Sequence, residues 1–429
     1  MSKHVSFMVL LWLVLSGCAQ DEIYRSDISE CLVTPSNQCG TSSFQVYNDA
    51  GFKYSLATVE IDDQGQLQKR DQLDLMLNKL KSEEAALIVV FVHGWHHNAQ
   101  GATPEEYEDL NIQNFRNQLA AISGQEKKSA SPRKIFGVYV GWRGDSIEVD
   151  GLNVATFWER KNTAEEVGHL GLTEILLRLE EIRDNKNTDA SKPKSRLVVV
   201  GHSFGGAAVF SATAQIFADR YIKKHYGEGH HKDLDNSHEG FGDLVVLINP
   251  AFEALRYAPL YDMAQSDCID NPDQKPKLTI LTSEGDEATG KLFPLGRSLY
   301  TLPETHNNHV EREFCASKWK YTLAEGKADR TTVGHFEPFF THTLKPLDNK
   351  TPHLQELSVE TTSERWRNNT GEINFGNIAL KHLGKTNLHN PYLNIRVSKE
   401  IIEGHNDIFK PEIVRFIKGL INYSIAEKD

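Results

Sequence analysis

Short apolar runs alternate along the chain with longer segments whose apolar residues recur at helical spacing. A continuous apolar run is typical of a strand that is buried on both faces of a parallel sheet. The predicted strands are residues 43–48, 54–61, 85–92, 135–141, 197–200, 244–249, 277–282 and 393–397. The predicted helices are residues 67–80, 104–122, 163–183, 204–224 and 411–426. This alternation predicts an α/β fold with a mostly parallel central sheet and helices on both faces.

One turn between a predicted strand and a predicted helix carries a candidate nucleophile. The pattern Gly201-x-Ser203-x-Gly205 follows the apolar run 197–200 and opens an alanine-rich helix. A serine on such a sharp turn holds its hydroxyl above the sheet, and only small side chains fit two residues before and after it. The pattern also occurs by chance in many chains, but its place between a strand and a helix favours Ser203 as a nucleophile.

A second loop resembles part of a known catalytic site. The predicted strand 85–92 ends in His93-Gly94-Trp95. Together with the serine turn, this His-Gly pair resembles the oxyanion loop of the α/β-hydrolase superfamily, of the serine esterase or lipase type. The resemblance implies that the backbone N–H groups of Trp95 and Phe204 stabilise an oxyanion. The side chain of His93 is expected to be structural.

The same resemblance implies an acid and a histidine after the serine, in that order. Residues 277–282 break into a turn that contains Glu284 and Asp286. We favour Asp286 as the acid, with Glu284 as the alternative and an ordinary acidic turn as the structural explanation. His405, which follows Gly404 between the last strand and the last helix, is the expected base.

These candidates predict a serine hydrolase that cleaves carboxylic esters through an acyl-enzyme. His405 would take the proton of Ser203, and Asp286 would hold the imidazole and stabilise its charged form. This chemistry needs no metal and no organic cofactor. A phospholipase, a thioesterase or an acyltransferase would use the same residues. A catalytically inactive envelope protein that keeps the fold for binding is the alternative of a different class.

The resemblance extends to domain organisation. It implies an α/β-hydrolase fold in a single domain, residues 43–429, with a large cap insertion at about 287–390 before the last strand. In this superfamily such insertions cover the active site and line the substrate pocket. The alternative is a structural excursion that lies away from the site.

The first residues are predicted to be a processing segment and not part of the fold. Residues 5–15 are apolar but too short to span a bilayer as a helix. The sequence Leu15-Ser16-Gly17-Cys18 resembles a bacterial lipobox, which implies a signal peptide at 1–17, a lipidated Cys18 and a tether at 18–42. An alanine after the cysteine implies an outer-membrane lipoprotein of the bacterial cell envelope. An ordinary secretory signal with an incidental cysteine is the alternative.

Four cysteines remain after Cys18, and an exported chain with an even number of cysteines suggests disulfides. Three connectivities are possible. We favour Cys31–Cys39 and Cys268–Cys315 because each pair closes a local loop, with free buried thiols as the alternative.

The charge of the chain limits its partners. A net charge of −12 argues against a nucleic-acid partner and against electrostatic adhesion to anionic lipid. The two resemblances instead imply a small-molecule or lipid ester as substrate and a membrane reached through the lipid on Cys18.

Overall fold

The structure, a computed structural model, describes residues 23–49, 51–103, 107–129, 131–144, 153–226, 238–347 and 364–425. The predicted leader at 1–17 and the predicted lipidation site Cys18 lie outside the described residues. Within those ranges, no helix combines the length and the hydrophobicity that crossing a bilayer requires.

Fourteen strands lie in the described part of the chain, and twelve of them form one sheet. They are β1 (Asp27–Leu32), β2 (Ser42–Asp49), β3 (Phe52–Ile61), β4 (Ala86–Val92), β5 (Lys134–Trp142), β6 (Arg196–His202), β7 (Leu244–Ile248), β8 (Leu278–Ser283), β9 (Val310–Phe314), β10 (Trp319–Leu323), β11 (His342–Pro346), β12 (Glu372–Phe375), β13 (Ile378–His382) and β14 (Tyr392–Val397). The order across the sheet is β1-β2-β3-β5-β4-β6-β7-β8-β14-β11-β13-β12, and β9 and β10 form a separate hairpin.

Eight neighbouring strands, from β3 across to β11, run parallel. Their carboxyl ends therefore meet at one edge of the sheet, which we call the carboxyl edge. It is marked by Val92, His202, Ser283 and Val397, the last residues of β4, β6, β8 and β14. We call the opposite edge, where these strands begin, the amino edge. Loops at the carboxyl edge of a parallel sheet are the usual place for a site.

Helices cover both faces of this sheet, as two separate buried apolar clusters show. The helices are α1 (Arg70–Ser82), α2 (Leu110–Glu126), α3 (Asn153–Val167), α4 (Thr173–Lys186), α5 (Phe204–Tyr226), α6 (Ala254–Gln265), α7 (Phe293–Tyr300), α8 (Glu325–Arg330) and α9 (Pro411–Ile425). One cluster includes residues of α1, α4, α5 and α6, and the other includes residues of α2 and α9. The structure thus confirms an α/β class with a large, mostly parallel sheet.

Two predicted helices differ from the observed ones at their ends. The helix predicted at 104–122 begins at Leu110, because Asp109 caps it by accepting a hydrogen bond from the backbone N–H of Asn111 at 2.8 Å. The helix predicted at 163–183 starts ten residues earlier and passes through a π-helical turn, Gly168–Leu172, between α3 and α4.

The segment predicted as a tether, 18–42, is folded from its first described residues. Arg25 is fully buried, its guanidinium donates to the carbonyls of Ala99 and Gly40 at 2.8 and 2.9 Å, and its backbone N–H donates to Glu60 at 2.9 Å. Residues 27–32 then form β1, which pairs with β2. The polar composition suggested a linker, whereas these contacts with the protein interior order it.

The segment predicted as a cap, about 287–390, divides into two parts. Its first part holds α7, the β9–β10 hairpin and α8. Its second part adds three strands to the sheet itself, because β11 pairs with β14 and is followed outward by β13 and β12. Short strands with irregular alternation gave no clear signal in the sequence.

Both predicted cysteine pairs lie at disulfide distance. Cys31 and Cys39 close the loop between β1 and β2, with their Cα atoms 5.9 Å apart. Cys268 and Cys315 join the segment after α6 to the turn of the β9–β10 hairpin, with their Cα atoms 5.2 Å apart. The second bridge fastens that hairpin to the body of the fold.

Candidate active site

Ser203 sits on the turn between β6 and α5 in a strained backbone conformation. Its φ angle is +56°, in the left-handed region that residues with a Cβ rarely occupy. Such a conformation costs on the order of 1–3 kcal/mol and persists only where the surroundings hold it. Here the N–H of Ser203 donates to Ile248 at 3.0 Å, and its carbonyl accepts from Ala207 and Ala251 at 3.1 Å. The turn is therefore fixed on both sides.

The two glycines of the Gly-x-Ser-x-Gly pattern are required by close backbone packing. A Cβ on Gly201 would lie 2.7 Å from the carbonyl oxygen of Gly205, which is closer than side-chain atoms come. A Cβ on Gly205 would overlap the backbone carbonyls of Val92 and His93. The glycines thus let the serine turn pack tightly against the end of β4.

Ser203, His405 and Asp286 form one line of hydrogen bonds at the carboxyl edge. The Oγ atom of Ser203 lies 2.8 Å from Nε2 of His405, and Nδ1 of His405 lies 2.9 Å from Oδ1 of Asp286. The three residues follow β6, β14 and β8, which are far apart in the sequence. Ser203 and Asp286 are buried, whereas the side chain of His405 is 21% exposed. The structure therefore brings together the residues predicted as nucleophile, base and acid.

Asp286 is held in its ionised form by donors on two sides. Burial raises its pKa, but the hydrogen bond and charge of His405 and two bonds from Thr289 outweigh burial, so the pKa lies below its usual value. The backbone N–H of Thr289 donates to Oδ1 at 3.1 Å, and its hydroxyl donates to Oδ2. Nε2 of His335 in turn lies 3.1 Å from the Thr289 hydroxyl. An ionised Asp286 can stabilise a positively charged His405.

Glu284, the alternative acid, lies in a different environment. Its carboxylate pairs with Arg396 at 2.9 Å, and its backbone N–H donates to the carbonyl of Val397 at 2.9 Å. Arg396 points away from the core with its side chain 47% exposed. Of the two predicted carboxylates, the structure brings Asp286 to His405.

The predicted oxyanion donors lie on two segments that meet at Ser203. A Cβ on Gly94 would lie 2.8 Å from Cβ of Ser203, so the loop after β4 passes directly against the serine. The rings of Trp95 and Phe204 are tilted by 56° to each other, with their centroids 6.4 Å apart. Phe204 is also the first residue of α5, and the N-terminus of a helix favours negative charge. The segments that carry the two predicted donors therefore both lie beside Ser203.

The side chain of His93 supports this loop. His93 is buried, its Nδ1 donates to the carbonyl of Gly94 at 2.8 Å, and its Nε2 accepts from the backbone N–H of Trp142 at 3.1 Å. The imidazole stacks on the Trp142 ring with the centroids 5.5 Å apart. Burial lowers the pKa of His93 to about 4, which keeps the ring neutral and able to make both bonds.

Two residues that the sequence did not single out hold the loop of His405. Nε2 of His202 donates to the backbone carbonyl of His405 at 2.9 Å, and the Asn249 amide donates to the same carbonyl at 2.8 Å. The Asn249 amide oxygen accepts from the backbone N–H of Ser283 at 2.9 Å, which ties the ends of β7 and β8 to this loop. Asn249 has a φ of +46°, a conformation in which asparagine is enriched. Both residues directly follow or end a strand at the carboxyl edge.

One group of possible metal ligands occurs among the described residues. Glu304, His306 and Asp329 offer ligand atoms within 4.8 Å of one another. Asp329 already accepts a hydrogen bond from Arg297 at 2.9 Å, and Nε2 of His306 lies 3.3 Å from Asp329. The contacts of Asp329 with Arg297 and His306 account for the closeness of these side chains without a metal ion.

Comparison of the chain with protein-family models, with curated proteins and with solved structures finds no match. The geometry of the site therefore carries the functional conclusion. A hydroxyl is hydrogen-bonded to an imidazole, which is hydrogen-bonded to a buried carboxylate, and two backbone segments converge beside that hydroxyl. Such an arrangement can activate the serine as a nucleophile toward an acyl carbon.

Proposed function

We propose that this protein is a serine hydrolase with an α/β-hydrolase fold that cleaves carboxylic esters through an acyl-enzyme. The observation that carries the proposal is the line of hydrogen bonds from Ser203 through His405 to Asp286, at 2.8 and 2.9 Å. The strained serine turn between β6 and α5 supports it, because this is the strand–turn–helix setting in which such nucleophiles occur.

The geometry implies the order of proton transfers. Nε2 of His405 takes the proton of Ser203 as its Oγ attacks the acyl carbon, and Asp286 stabilises the resulting imidazolium. The N–H groups of Trp95 and Phe204 stabilise the oxyanion. His405 then gives its proton to the leaving alcohol, which leaves an ester on Ser203. A water that loses its proton to His405 attacks this ester, and His405 returns that proton to Oγ of Ser203 as the bond to the acyl carbon breaks and the acid leaves.

Hydrolysis of a soluble ester by the purified protein tests this proposal. We expect wild type to hydrolyse p-nitrophenyl butyrate and Ser203→Ala to lose activity on the order of 10⁶-fold, as His405→Ala should. Ser211→Ala is a matched control, because Ser211 is also buried on α5 but donates to the carbonyl of Ala207. Equal hydrolysis by wild type and Ser203→Ala would falsify the proposal. A parallel panel of thioesters and phospholipids identifies which acyl substrate the site prefers.

We further propose that the mature chain is a lipoprotein of the bacterial outer membrane, anchored through lipids on Cys18. The proposal rests on the lipobox resemblance of residues 15–18. Several acyl chains on one cysteine give stable anchoring, which a single chain does not. Cys18→Ser should abolish incorporation of labelled palmitate and release the protein from the membrane fraction. Equal palmitate incorporation by the two proteins would contradict it.

A further inference from the structure

The described surface carries an apolar ridge on and beside α7. Five of the fourteen exposed large apolar residues of the described chain fall within residues 292–302. These are Leu292, Leu295, Leu299, Tyr300 and Leu302, with exposures from 55% to 78%. Leu292, Leu295 and Leu299 follow one another at spacings of three and four residues, which places them along one side of the continuous helical segment, and Leu302 lies in the turn after it. We call these five residues the leucine ridge.

The helix that carries the leucine ridge is fixed from its other side. Phe293 is fully buried, and a Cβ on Gly296 would overlap the indole of Trp158, so the helix backbone lies directly on that ring. Arg297 pairs with Glu253 at 3.2 Å and with Asp329 at 2.9 Å. The opposite side of α7 is therefore fixed by packing and by ion pairs, and these contacts keep the leucines of the ridge exposed to solvent.

The leucine ridge lies at the carboxyl edge, beside the candidate active site. The π-helical turn Ala288–Leu292 leads into α7 and begins two residues after Asp286. Two further exposed apolar residues, Tyr107 and Leu110, stand where the loop after β4 enters α2, at the same edge. Aromatic side chains with a polar tip are enriched where proteins meet the membrane surface.

The start of the folded chain lies at this edge as well. The backbone N–H of Tyr24 donates to the carboxylate of Glu60 at 3.0 Å, and Glu60 is the penultimate residue of β3. Only five residues lie between Cys18 and Tyr24, so even a fully extended chain would keep the Cα atom of Cys18 within about 22 Å of this point. The first described residues, the candidate site and the leucine ridge therefore lie at one edge of the sheet.

We propose that the leucine ridge inserts into a lipid bilayer, so that the carboxyl edge faces the membrane and the site takes acyl lipids from it. This inference rests on the proposed function for its substrate class and on the lipid anchor for its geometry. Insertion is driven by apolar burial. Charge does not drive it, since Lys291 beside the ridge pairs with Glu287 at 2.5 Å and the chain has a net charge of −12.

Membrane depth tests the docking independently of catalysis. The full-length chain, produced with its own leader, is mixed with phosphatidylcholine–phosphatidylethanolamine vesicles, with a nitroxide on Leu299→Cys or on Ile222→Cys. Ile222 is 48% exposed and lies about 27 Å along α5 from Phe204, toward the amino edge. We expect the nitroxide at 299 to collide often with oxygen, which concentrates in the bilayer, and rarely with a water-soluble nickel complex. The nitroxide at 222 should collide often with the nickel complex and less with oxygen.

Turnover tests the substrate class. Leu295→Gln/Leu299→Gln should lower hydrolysis of a vesicle-embedded acyl lipid at least tenfold and leave hydrolysis of p-nitrophenyl butyrate unchanged. Ile222→Gln/Ile269→Gln removes two other exposed apolar side chains, 48% and 85% exposed against 64% and 61% for Leu295 and Leu299, outside the carboxyl edge and should change neither rate. Equal nickel access at 299 and 222 would overturn the docking, as would a ridge that instead holds two copies of the chain together in solution. Docking without any ester hydrolysis by wild type would reject the proposed function but keep the membrane contact.

Discussion

Two histidine–aspartate pairs lie at opposite edges of the sheet and differ in what the second ring nitrogen meets. At the carboxyl edge, His405 contacts Asp286 through Nδ1 and the Ser203 hydroxyl through Nε2. At the amino edge, His389 contacts Asp270 through Nδ1 at 2.6 Å and the backbone carbonyl of Trp366 through Nε2 at 2.8 Å. A hydroxyl can give a proton to a ring nitrogen, whereas a carbonyl can only accept one.

A histidine of such a pair can act as a general base only where its second ring nitrogen meets a group that can give up a proton. Nε2 of His405 meets the Ser203 hydroxyl, whereas Nε2 of His389 meets a carbonyl. Both ring nitrogens of His389 face oxygen acceptors, so neither can take a proton from a substrate or a nucleophile. Its side chain is 3% exposed, against 21% for His405, so solvent and substrate reach only the carboxyl-edge pair. We infer that the amino-edge pair joins loops, and we propose that the carboxyl-edge pair serves as the catalytic base and acid.

The largest difference between the two histidine–aspartate pairs should appear when each histidine is replaced by alanine. His405→Ala should lower kcat for ester hydrolysis on the order of 10⁶-fold, since nucleophile and base act as a unit in such sites. His389→Ala should leave kcat per folded molecule within a few-fold but lower the free energy of unfolding by about 1–3 kcal/mol, because it leaves the buried carbonyl of Trp366 without its donor and removes one of the two hydrogen bonds between residue 389 and Asp270. Rate assays and urea unfolding of both variants measure this. Comparable losses of kcat in the two variants would refute the distinction.

Replacing the two aspartates should also lower kcat only at the carboxyl edge, by a smaller factor than replacing His405. Asp286→Asn should lower kcat on the order of 10⁴-fold, because an amide favours the wrong tautomer of His405. Asp270→Asn should affect stability and leave kcat nearly unchanged. Glu284→Gln is the second control, since its carboxylate pairs with Arg396. Steady-state kinetics on the three variants decides the acid, and a large loss in Glu284→Gln would reassign it.

Asn249 should matter less, as a positioning residue of the carboxyl-edge pair. Asn249→Gly keeps a backbone that tolerates the φ of +46° but removes the donor to the His405 carbonyl. We expect kcat to fall roughly tenfold to a hundredfold while KM for a soluble ester stays within about twofold. A merely structural role would instead lower stability with kcat unchanged.

The smallest effect should appear in the acid stability of the region around His405. Burial and the nearby His405 lower the pKa of His202 from its ordinary 6.5 to about 3. Below pH 6.5 the unfolded chain therefore binds a proton that the folded chain excludes, so stability is complete above about pH 6.5 and is lost as the pH falls toward 3. Between about pH 6.5 and 5, the free energy of unfolding of wild type should therefore fall by about 2 kcal/mol more than that of His202→Gln. Urea unfolding at both pH values measures it, and an unchanged slope would contradict it.

Much of the parallel sheet could be predicted from the sequence, and so could the three hydrogen-bonded residues at its carboxyl edge, Ser203, His405 and Asp286. Continuous apolar runs such as β4, in which every residue is buried, leave a clear signal because both faces of the strand are covered. The glycines around Ser203 leave a signal as well, because close packing at that turn excludes other side chains. The order of acid and histidine after the serine, which the α/β-hydrolase resemblance implies, predicts Asp286 and His405.

Other parts could not be predicted, for physical reasons. β1 is an edge strand whose residues are mostly exposed, so it shows no apolar run, and Arg25 is ordered by carbonyls distant in sequence. The roles of His202 and Asn249 depend on a backbone carbonyl more than 150 residues away, which no local pattern encodes. β11 to β13 extend the sheet through pairing that short, mixed sequences do not reveal.

The most direct test of the central claim is labelling of the folded protein with a fluorophosphonate probe, followed by peptide mapping. The probe reacts with a serine that is activated by a neighbouring base and needs no knowledge of the natural substrate. We predict one labelled residue, Ser203, with labelling abolished in His405→Ala and retained in His389→Ala. An unlabelled wild-type protein, or a label on another serine, would contradict the assignment of the carboxyl-edge pair as catalytic.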